Sequence, residues 1–275
     1  MPFPQGEVEM LEKVCFVSVS GGKDSALTLA LAVERYGGSE IPVVGVFSDT
    51  GWEHPLTYGY LRELEEFFGI RIQRISGFEG GLPALIRRKR IFPSARRRFC
   101  TEILKTRALA KFYRWFYFQF PFKGAEVWSG IRREESKSRR NISDFVLKKG
   151  DSFHGVSFPF DVHYVYPIKD LREKEVFSEL QKRGVPVNPL YSLGYKRVGC
   201  FPCFLSKREI VHLIKKALDG DRFALSRLEE LKELDSSCSS RIHINHSLSE
   251  LISIAEKERK KESLLLSLPF PDFQK

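Results

Sequence analysis

The chain has 275 residues, of which 42% are hydrophobic and 29% are charged. A chain of this length accommodates one α/β domain with a smaller appendage, and it is too short for two large domains. No apolar run approaches the roughly 18 residues that a transmembrane helix requires, so the composition excludes an integral membrane protein and predicts a soluble one.

The N-terminal residues and the cysteines both favour a reducing compartment. Residues 1–12 carry three acidic side chains and no apolar stretch of the kind found in secretory signals, so we expect a cytoplasmic protein. Five cysteines are an odd number for a disulfide framework. Metal binding or thiol reactivity is the better interpretation of them.

The positive charge is concentrated in one segment. The formal net charge is +10 at pH 7, and residues 87–114 hold eleven Lys or Arg against one acid, Glu102. Such a segment attracts polyanions because neutralising phosphates releases their counterions. It predicts binding to a phosphorylated nucleotide or to nucleic acid, and the alternative is a solvated helix face.

Apolar runs alternate with amphipathic helical patterns through the first half of the chain. Such alternation is typical of a parallel sheet covered by helices, and it predicts an α/β, Rossmann-like, doubly wound and mostly parallel sheet. The predicted strands are 14–19, 42–48, 70–75 and 126–129, and the predicted helices are 23–36, 56–68 and 101–119.

The second half of the chain has a less regular pattern that becomes helical toward its end. The predicted elements are strand-like segments at 156–160 and 164–167 and helices at 172–183, 207–218, 222–234 and 248–261. We therefore predict a principal domain over residues 1–204 and a C-terminal helical cap or interaction region over residues 205–275.

A glycine loop joins the first predicted strand to the first predicted helix, and its sequence is Ser20-Gly21-Gly22-Lys23-Asp24-Ser25. Glycines can adopt backbone angles that point consecutive amides at a phosphate, and the start of the helix adds its positive dipole end. The spacing differs from that of a Walker loop. The loop predicts a phosphate site at a strand end, with a tight turn that binds no ligand as the alternative.

This loop resembles the S-G-G-x-D-S loop of the PP-loop superfamily, which includes ATP pyrophosphatases and sulfonucleotide reductases. Other segments resemble phosphoadenosine phosphosulfate (PAPS) reductases and their relatives. These segments are Asp49-Thr50-Gly51, Phe99-Cys100-Thr101 with Lys105, Gly130-Ile131-Arg132-Arg133-Glu134-Glu135-Ser136 with Arg139, Tyr166-Pro167-Ile168, and Gly194-Tyr195 with Gly199-Cys200-Phe201-Pro202-Cys203. The resemblance implies the adenine nucleotide alpha hydrolase-like fold, and a PP-loop nucleotide-binding domain with a cysteine site over residues 1–204.

The resemblance also implies which residues serve the site. Lys23, Asp24 and Arg132 are the implied catalytic residues: the two cations would neutralise charge that develops on the phosphates, and Asp24 or Asp49 would position magnesium. The implied nucleotide-binding residues are Ser18, Ser20, Gly21, Gly22, Lys23, Asp24, Ser25, Asp49, Thr50, Gly51, Lys105, Gly130, Arg132, Glu135 and Arg139.

Three cysteines form a second implied site. Cys200 and Cys203 make a C-x-x-C, and Cys100 falls where cluster-bearing relatives contribute a cysteine, whereas Phe99 occupies the position of an adjacent cysteine in relatives with four ligands. The resemblance implies a 4Fe-4S cluster on three cysteines, as in thiouridine-forming enzymes of the superfamily. Zinc with a further ligand, and a redox or structural C-x-x-C, are the alternatives.

These features favour an ATP pyrophosphatase. ATP with magnesium would bind the loop, an acceptor oxygen would attack the α-phosphate, and sulfur from a donor such as a protein persulfide would then displace AMP. The basic segment at 87–114, interleaved with aromatic residues at 112–118, would receive a DNA or tRNA acceptor. The aromatic run is equally compatible with a place in the core.

Two alternatives remain open. A sulfonucleotide reductase acting on adenosine phosphosulfate (APS) or PAPS would need a nucleophilic thiol near the C-terminus. The last cysteine, Cys238, lies in Ser-Ser-Cys-Ser-Ser and not in the Glu-Cys-Gly type of tail that those reductases carry. The other alternative is a nucleotide-binding module without turnover.

Overall fold

The computed structural model describes residues 10–267, which form two compact units. The first unit contains the described residues through Leu82 together with Phe99–Cys200. The second contains Pro83–Arg98 together with the described residues from Phe201 onward. The predicted domain boundary between residues 204 and 205 stays a prediction.

Two sequence predictions fall partly beyond the described residues. Most of the N-terminal segment at 1–12 lies outside them, and so do residues 268–275 of the predicted C-terminal region. Within the part of the chain that the structure describes, no helix combines the length and the apolar character that crossing a bilayer requires.

The described part of the first unit is built on a six-stranded sheet. Its strands are β1 (Leu11–Val19), β2 (Val43–Asp49), β3 (Ile72–Ser76), β4 (Phe122–Ser129), β5 (Phe145–Leu147) and, after a small hairpin of β6 (Ser152–Phe153) and β7 (Val156–Ser157), β8 (Asp161–Val165). The strand order is β3-β2-β1-β4-β8-β5, with β5 antiparallel at the edge and the other strands parallel. The predicted doubly wound α/β fold is confirmed.

The helices follow the sequence pattern closely at most of their ends. They are α1 (Lys23–Tyr36), α2 (Pro55–Phe68), α3 (Gly81–Lys89), α4 (Phe99–Thr101), α5 (Arg107–Gln119), α6 (Glu173–Lys182), α7 (Lys207–Leu218), α8 (Arg222–Ser237) and α9 (Leu248–Ser267). Pro55 begins α2, where its missing N–H costs no hydrogen bond, and Gly69 ends it with φ +64°. The three C-terminal helices are confirmed, whereas the sequence pattern predicts neither α3 nor β5.

The central strand β1 sends alternate side chains into two apolar cores. Cys15, Val17 and Val19 pack with residues of α1, α2 and α6, and Val14 and Phe16 pack with residues of α5 on the opposite face of the sheet. Parallel strands of this kind are apolar on both faces because helices cover both. Cys15 is fully buried, as predicted, and burial raises the pKa of its thiol.

The predicted helix at 101–119 is interrupted in the structure. A π-helical turn, Glu102–Thr106, separates α4 from α5, and the N–H of Arg107 donates to the carbonyl of Glu102, five residues earlier. A π turn adds one residue to the helix and is frequent at functional sites. The apolar pattern stays helical on both sides of the turn, so the sequence gives no sign of the insertion.

A buried carboxylate joins α1, β1 and β4. Glu126 accepts hydrogen bonds from the hydroxyl of Tyr36 at 2.6 Å, the indole N–H of Trp128 at 2.8 Å and the ammonium group of Lys13 at 2.9 Å. Burial alone would raise the pKa of the Glu126 carboxyl, but these donors outweigh burial and hold the pKa below its usual value of 4.5.

We expect Glu126→Gln to destabilise the protein by roughly 1–3 kcal/mol at pH 7, because a neutral amide satisfies these donors less well. Since the pKa is lowered in the folded state, the carboxylate contributes fully above its unfolded-state pKa. That contribution is lost as the pH falls through the folded-state pKa. Urea unfolding of both proteins should show a free-energy difference that shrinks below about pH 4.

The exposed Glu66 on α2 provides the control, because Glu66→Gln removes a charge without removing a buried hydrogen bond. A difference between wild type and Glu126→Gln that grows toward acid pH would contradict this account of the Glu126 cluster.

Candidate functional site

The candidate site lies where the strand order of the sheet reverses. From β1 the chain continues through β2 to β3 on one side, whereas β4 and β8 lie on the other side of β1. The loops that follow β1 and β4 therefore leave the same edge of the sheet side by side. Open α/β sheets bind their ligands at this position.

The glycine loop after β1 is organised by its two serines. The hydroxyl of Ser25 accepts from the N–H of Ser20 at 3.0 Å and donates to the carbonyl of Gly22 at 2.9 Å. Gly21 has φ +78°, a conformation that favours glycine. The strand, loop and helix follow one another as predicted, and the binding roles of these residues stay predictions.

Two residues distant in sequence hold this loop from outside. The side-chain N–H of Asn188 donates to the carbonyl of Gly21 at 3.0 Å, and the backbone N–H of Lys23 donates to the hydroxyl oxygen of Tyr191 at 3.0 Å. Lys23 is the first residue of α1, so Tyr191 satisfies one of the amides that the helix start leaves without an internal partner. No sequence motif singles out Asn188 or Tyr191.

The loop after β4 packs directly on the first turn of α1. A Cβ atom added to Gly130 would lie 2.5 Å from the carbonyl oxygen of Asp24 and 2.9 Å from the amide nitrogen of Ser25. Any side chain at this position would push the two loops apart. Close packing therefore explains the glycine, whether or not Gly130 also contacts a nucleotide.

The three predicted catalytic residues belong to one cluster of charges. Arg132 donates from Nε to Oδ1 of Asp24 at 2.6 Å, and Nζ of Lys23 lies 3.3 Å from Oδ2 of the same carboxylate. Two more carboxylates complete the cluster: Glu134 lies 2.7 Å from the guanidinium of Arg132, and Glu173 lies 3.2 Å from the ammonium of Lys23. The side chains of Lys23 and Arg132 are both 5% exposed.

Both cations of this cluster are charged. Burial alone would lower their pKa values, but Tyr191 and Asp24 beside Lys23, and Asp24 and Glu135 beside Arg132, outweigh burial and raise them. The cluster nevertheless sets two cations against three carboxylates. The carboxylates therefore outnumber the cations by one, and the role of its cations at the phosphates stays a prediction.

Two other predicted binding residues are also engaged with this segment of the chain. The carboxylate of Glu135 accepts from the backbone N–H of Arg132 at 3.1 Å and forms an ion pair with Arg139. The Gly-Ile-Arg segment is thus shaped largely by contacts among its own residues.

The turn after β2 is built around two carboxylates. Oδ1 of Asp49 accepts from the N–H of Gly51 at 2.8 Å and from the hydroxyl of Tyr58 at 2.9 Å. Glu53 accepts from the hydroxyl of Thr50 at 2.7 Å and from its backbone N–H at 3.1 Å. Thr50 is fully buried, so its polar atoms shape the turn.

A cavity of about 100 Å³ opens between the ends of β1 and β2. It is lined by Ser18, Val19, Ser20, Val46, Phe47, Ser48, Glu53, Lys105, Leu109 and Gly199. Ser18, Ser20 and Lys105 were predicted as nucleotide-binding residues, and the structure places all three on this cavity. Lys105 belongs to the π-helical turn, which therefore forms part of the cavity wall.

Two polar residues of the cavity wall, Glu53 and Ser48, are not among the residues predicted from the sequence. Burial raises the pKa of the Glu53 carboxyl. The hydrogen bond from Thr50 and the charge of Lys105 act in the opposite direction, and they do not outweigh burial. Ser48 is 8% exposed, and within the described residues its hydroxyl has no hydrogen-bond partner. A buried hydroxyl without a partner could form a hydrogen bond with a polar group of a bound ligand. The sequence contains one signal for Glu53, which is an acidic side chain four residues after Asp49.

The predicted metal-binding cysteines are divided between the two units. Cys100 and Cys200 belong to the first unit and Cys203 to the second. Sγ of Cys200 lies 3.5 Å from the hydroxyl oxygen of Thr50, and burial together with the neighbouring Cys200 raises the pKa of Cys100. Among residues 10–267, no group of three His, Cys, Asp or Glu side chains is placed to hold a metal ion. The three-cysteine site therefore stays a prediction.

The predicted basic segment at 87–114 is likewise divided. Its residues up to Arg98 belong to the second unit and those from Phe99 onward to the first, so it is not a single element of the fold. The aromatic run on α5 serves both the core and the surface: Phe112 and Tyr113 are buried, whereas other rings of the run are exposed.

A doubly wound sheet with a glycine turn at its reversal point defines a class of α/β proteins whose ligands bind at that crevice. The family profile described as the phosphoadenosine phosphosulfate reductase domain matches residues 14–206. The chain belongs to this family, and the predicted resemblance is confirmed.

Relatives of the chain include both named enzymes and proteins without an assigned activity. It is 28% identical to an uncharacterized 37.8 kDa protein of Escherichia phage 186, over 84% of this chain and 80% of the phage protein. It is 25% identical to the adenosine 5'-phosphosulfate reductase of Allochromatium vinosum, over 71% of this chain and 72% of that enzyme. Other relatives are longer: the chain is 30% identical, over 73% of its length, to the uncharacterized protein MJ0066 of Methanocaldococcus jannaschii but spans only 38% of it.

Among solved structures, the PAPS reductase of Candida auris in complex with phosphate superposes with a TM-score of 0.46 and 16% identity. The similarity covers 69% of this chain and 82% of that one. At this level it supports no inference about function.

Gly21→Ala tests the backbone demands of the glycine loop. An added Cβ would lie 2.6 Å from Cγ2 of Thr57. We expect a loss of roughly 2–5 kcal/mol of stability from the left-handed backbone and the overpacking together, and loss of ATP binding. Thermal unfolding and titration calorimetry with ATP and magnesium measure the two effects.

Gly38→Ala is the matched control, because Gly38 has φ +76° and an added Cβ there would meet nothing within 4 Å. It should cost only the roughly 1–2 kcal/mol of backbone strain and leave ATP binding intact. The double variant Gly21→Ala/Thr57→Ser removes the clashing methyl group and should recover part of the stability. Equal losses in Gly21→Ala and Gly38→Ala would contradict the packing argument.

Arg132→Met tests the charge cluster. It leaves the Asp24 carboxylate with one cation fewer in a buried setting, so we expect a loss of about 3 kcal/mol in urea unfolding. Lys148→Met removes one partner of an exposed ion pair with Asp161 and should cost less than about 1 kcal/mol. Losses of similar size in the two variants would show that the cluster does not stabilise the fold.

Proposed function

We propose that this chain is an ATP pyrophosphatase of the PP-loop type, which adenylylates an acceptor so that sulfur can be incorporated into nucleic acid. The observation that carries the proposal is the serine-ordered glycine turn at the reversal point of the sheet, with Gly21 at positive φ. Membership in the PAPS reductase domain family supports an adenine nucleotide as the ligand.

The phosphates of ATP would bind at the start of α1. The backbone N–H of Lys23 already donates to the hydroxyl oxygen of Tyr191. The anion would therefore bind other amides of the glycine turn and of the first turn of α1, together with the exposed hydroxyl of Ser20. The positive end of the helix dipole favours the same position. Backbone groups would therefore supply most of the attraction at this point.

The cavity between β1 and β2 would receive one part of the nucleotide. Its volume of about 100 Å³ is below the roughly 300 Å³ typical of whole-ligand pockets, so it suits a portion of ATP. Lys105 offers a positive charge there, and the hydroxyls of Ser18 and Ser48 offer hydrogen bonds.

The reaction would be an in-line displacement at the α-phosphorus. An oxygen of the acceptor forms a bond to the α-phosphorus, the bond from that phosphorus to the bridging oxygen of the β-phosphate breaks, and pyrophosphate leaves with the electron pair. A sulfur nucleophile then displaces AMP from the adenylylated acceptor. Both hydrogen bonds of Asp49 within the described residues fall on Oδ1, which leaves Oδ2 to orient the magnesium that ATP carries.

Lys23, Asp24 and Arg132 would act mainly by positioning. Their mutual contacts join the first turn of α1 to the loop after β4. This joining would order the amides that we propose bind the phosphates. Preorganised donors of this kind stabilise developing charge without reorganising during the reaction. A direct contact of either cation with the phosphates would require it to exchange a carboxylate partner.

The cysteines remain outside this mechanism. A 4Fe-4S cluster on Cys100, Cys200 and Cys203 belongs to the proposal as the sulfur-handling centre, with zinc as the lesser alternative. Cysteine thiolates are the usual ligands of such a cluster, and the first unit supplies two of these three. No step above depends on the group.

A second candidate function is reduction of APS or PAPS. The family and the Allochromatium vinosum relative favour it, since the same loop would bind an adenosine-linked anion. Such a reductase needs a cysteine nucleophile, and the last cysteine of this chain is Cys238 in a serine-rich segment.

We expect the purified full chain to release pyrophosphate from ATP in the presence of magnesium. The rate of release should increase when single-stranded nucleic acid is added as the acceptor. Gly21→Ala should abolish this release, and Gly38→Ala should retain it. Sulfite release from PAPS in the presence of thioredoxin, without pyrophosphate release from ATP, would replace this proposal with the reductase. Nucleotide binding with neither product would contradict both enzymes.

A further inference from the structure

One face of α5 presents two exposed aromatic rings between exposed cations. Lys111, Arg114, Trp115 and Phe118 follow the spacing i, i+3, i+4 and i+7, which places them on one side of a helix. Trp115 is 52% exposed and Phe118 is 60% exposed, and both cations are exposed as well. We call these four residues the α5 stripe.

The rings of the stripe are supported by their neighbours. The ring of Trp115 lies 5.7 Å from that of Phe112, which is buried in the core. The guanidinium of Arg114 lies 5.8 Å from the centre of the Phe118 ring. Trp115 is therefore backed by a core ring and Phe118 by a cation, while about half or more of each side chain remains in water.

We propose that the α5 stripe binds single-stranded nucleic acid, with bases stacked on Trp115 and Phe118 and phosphates paired with Lys111 and Arg114. Surfaces that bind single strands combine cations along the backbone with aromatic rings on which bases stack. Stacking on an exposed ring requires unpaired bases, which excludes a regular duplex as the preferred ligand. Two cations in the same stripe disfavour an uncharged or basic partner.

The stripe lies on the side of α5 opposite Leu109, so the helix separates it from the cavity. Leu109 lines the cavity, and Lys111 follows it two residues later on the same helix. The stripe runs about 10 Å along the helix from Lys111 to Phe118, and it starts less than one helical turn along the axis from Leu109. The inference rests on the proposed function in one respect, since it names the surface that holds the acceptor.

Tryptophan fluorescence offers a direct measurement. The chain has three tryptophans, and Trp52 and Trp128 are 0% and 4% exposed. Titrating the full chain with short single strands of DNA, and separately of RNA, should quench the emission of Trp115 without ATP. Comparison of the two titrations shows whether the stripe binds DNA or RNA strands more tightly. A duplex of the same sequence should bind more weakly than either single strand.

Variants separate stacking from charge. The double variant Trp115→Ala/Phe118→Ala should weaken binding of a labelled strand tenfold or more, followed by fluorescence anisotropy. Trp115→Phe should keep most of the affinity and lose the quenching. Lys111→Ala/Arg114→Ala should reduce the slope of log affinity against log salt by about 1.4, since two phosphate contacts are lost.

Phe67→Ala is the matched control, because Phe67 is 46% exposed on α2 and away from the stripe in sequence and element. It should leave affinity and quenching unchanged. Circular dichroism and thermal unfolding confirm that all variants fold.

Three results would overturn the inference. They are absence of quenching, equal affinity for a duplex and a single strand, and unchanged affinity in the stripe variants. Sedimentation that shows a dimer broken by Trp115→Ala/Phe118→Ala would identify the stripe as an interface between copies of this chain. Pyrophosphate release is assayed separately, so strand binding without pyrophosphate release would sink only the proposed function, and the reverse result would sink only the stripe.

Discussion

The approach of the loop after β4 to the first turn of α1 is the constraint on which the candidate site depends. A hydrogen atom in place of a side chain at Gly130 lets the two segments touch, and the bond from Arg132 to Asp24 fixes them in that position. The glycine turn after β1 keeps its shape because the loop after β4 packs directly against the residues that follow the turn. The same reversal of strand order that creates the crevice therefore also makes it rigid.

This rigidity changes what the charged residues of the loop do. A lysine beside a glycine turn suggests a point charge aimed at phosphate, but Lys23 is buried between the carboxylates of Asp24 and Glu173. Buried ion pairs contribute little net attraction to a ligand, and they hold the segments that carry them in one geometry. In the proposed function, attraction for an anion would come from oriented backbone amides and from Lys105 at the cavity wall.

The helix α5 combines two tasks because its two faces meet different surroundings. Phe112 and Tyr113 fill the core beneath the sheet, whereas Trp115 and Phe118 on another face remain in water. Just before α5 the π-helical turn brings Lys105 to the cavity. A single helix thus carries both a residue of the cavity wall, Leu109, and a charged aromatic surface. The aromatic run, for which the sequence left core and surface open, supplies both.

The sequence by itself determined the features that depend on local chemistry: the start and end of α1, the glycine turn, the apolar period of the strands, and the family. Backbone freedom and side-chain periodicity act over a few neighbouring residues, so their pattern is legible in one dimension. Only the tertiary structure decided that Asn188 and Tyr191 hold the loop, and that Glu53 and Ser48 line the cavity. These contacts join segments far apart in the chain, and they exist only once the parallel sheet has brought its strand ends to one edge.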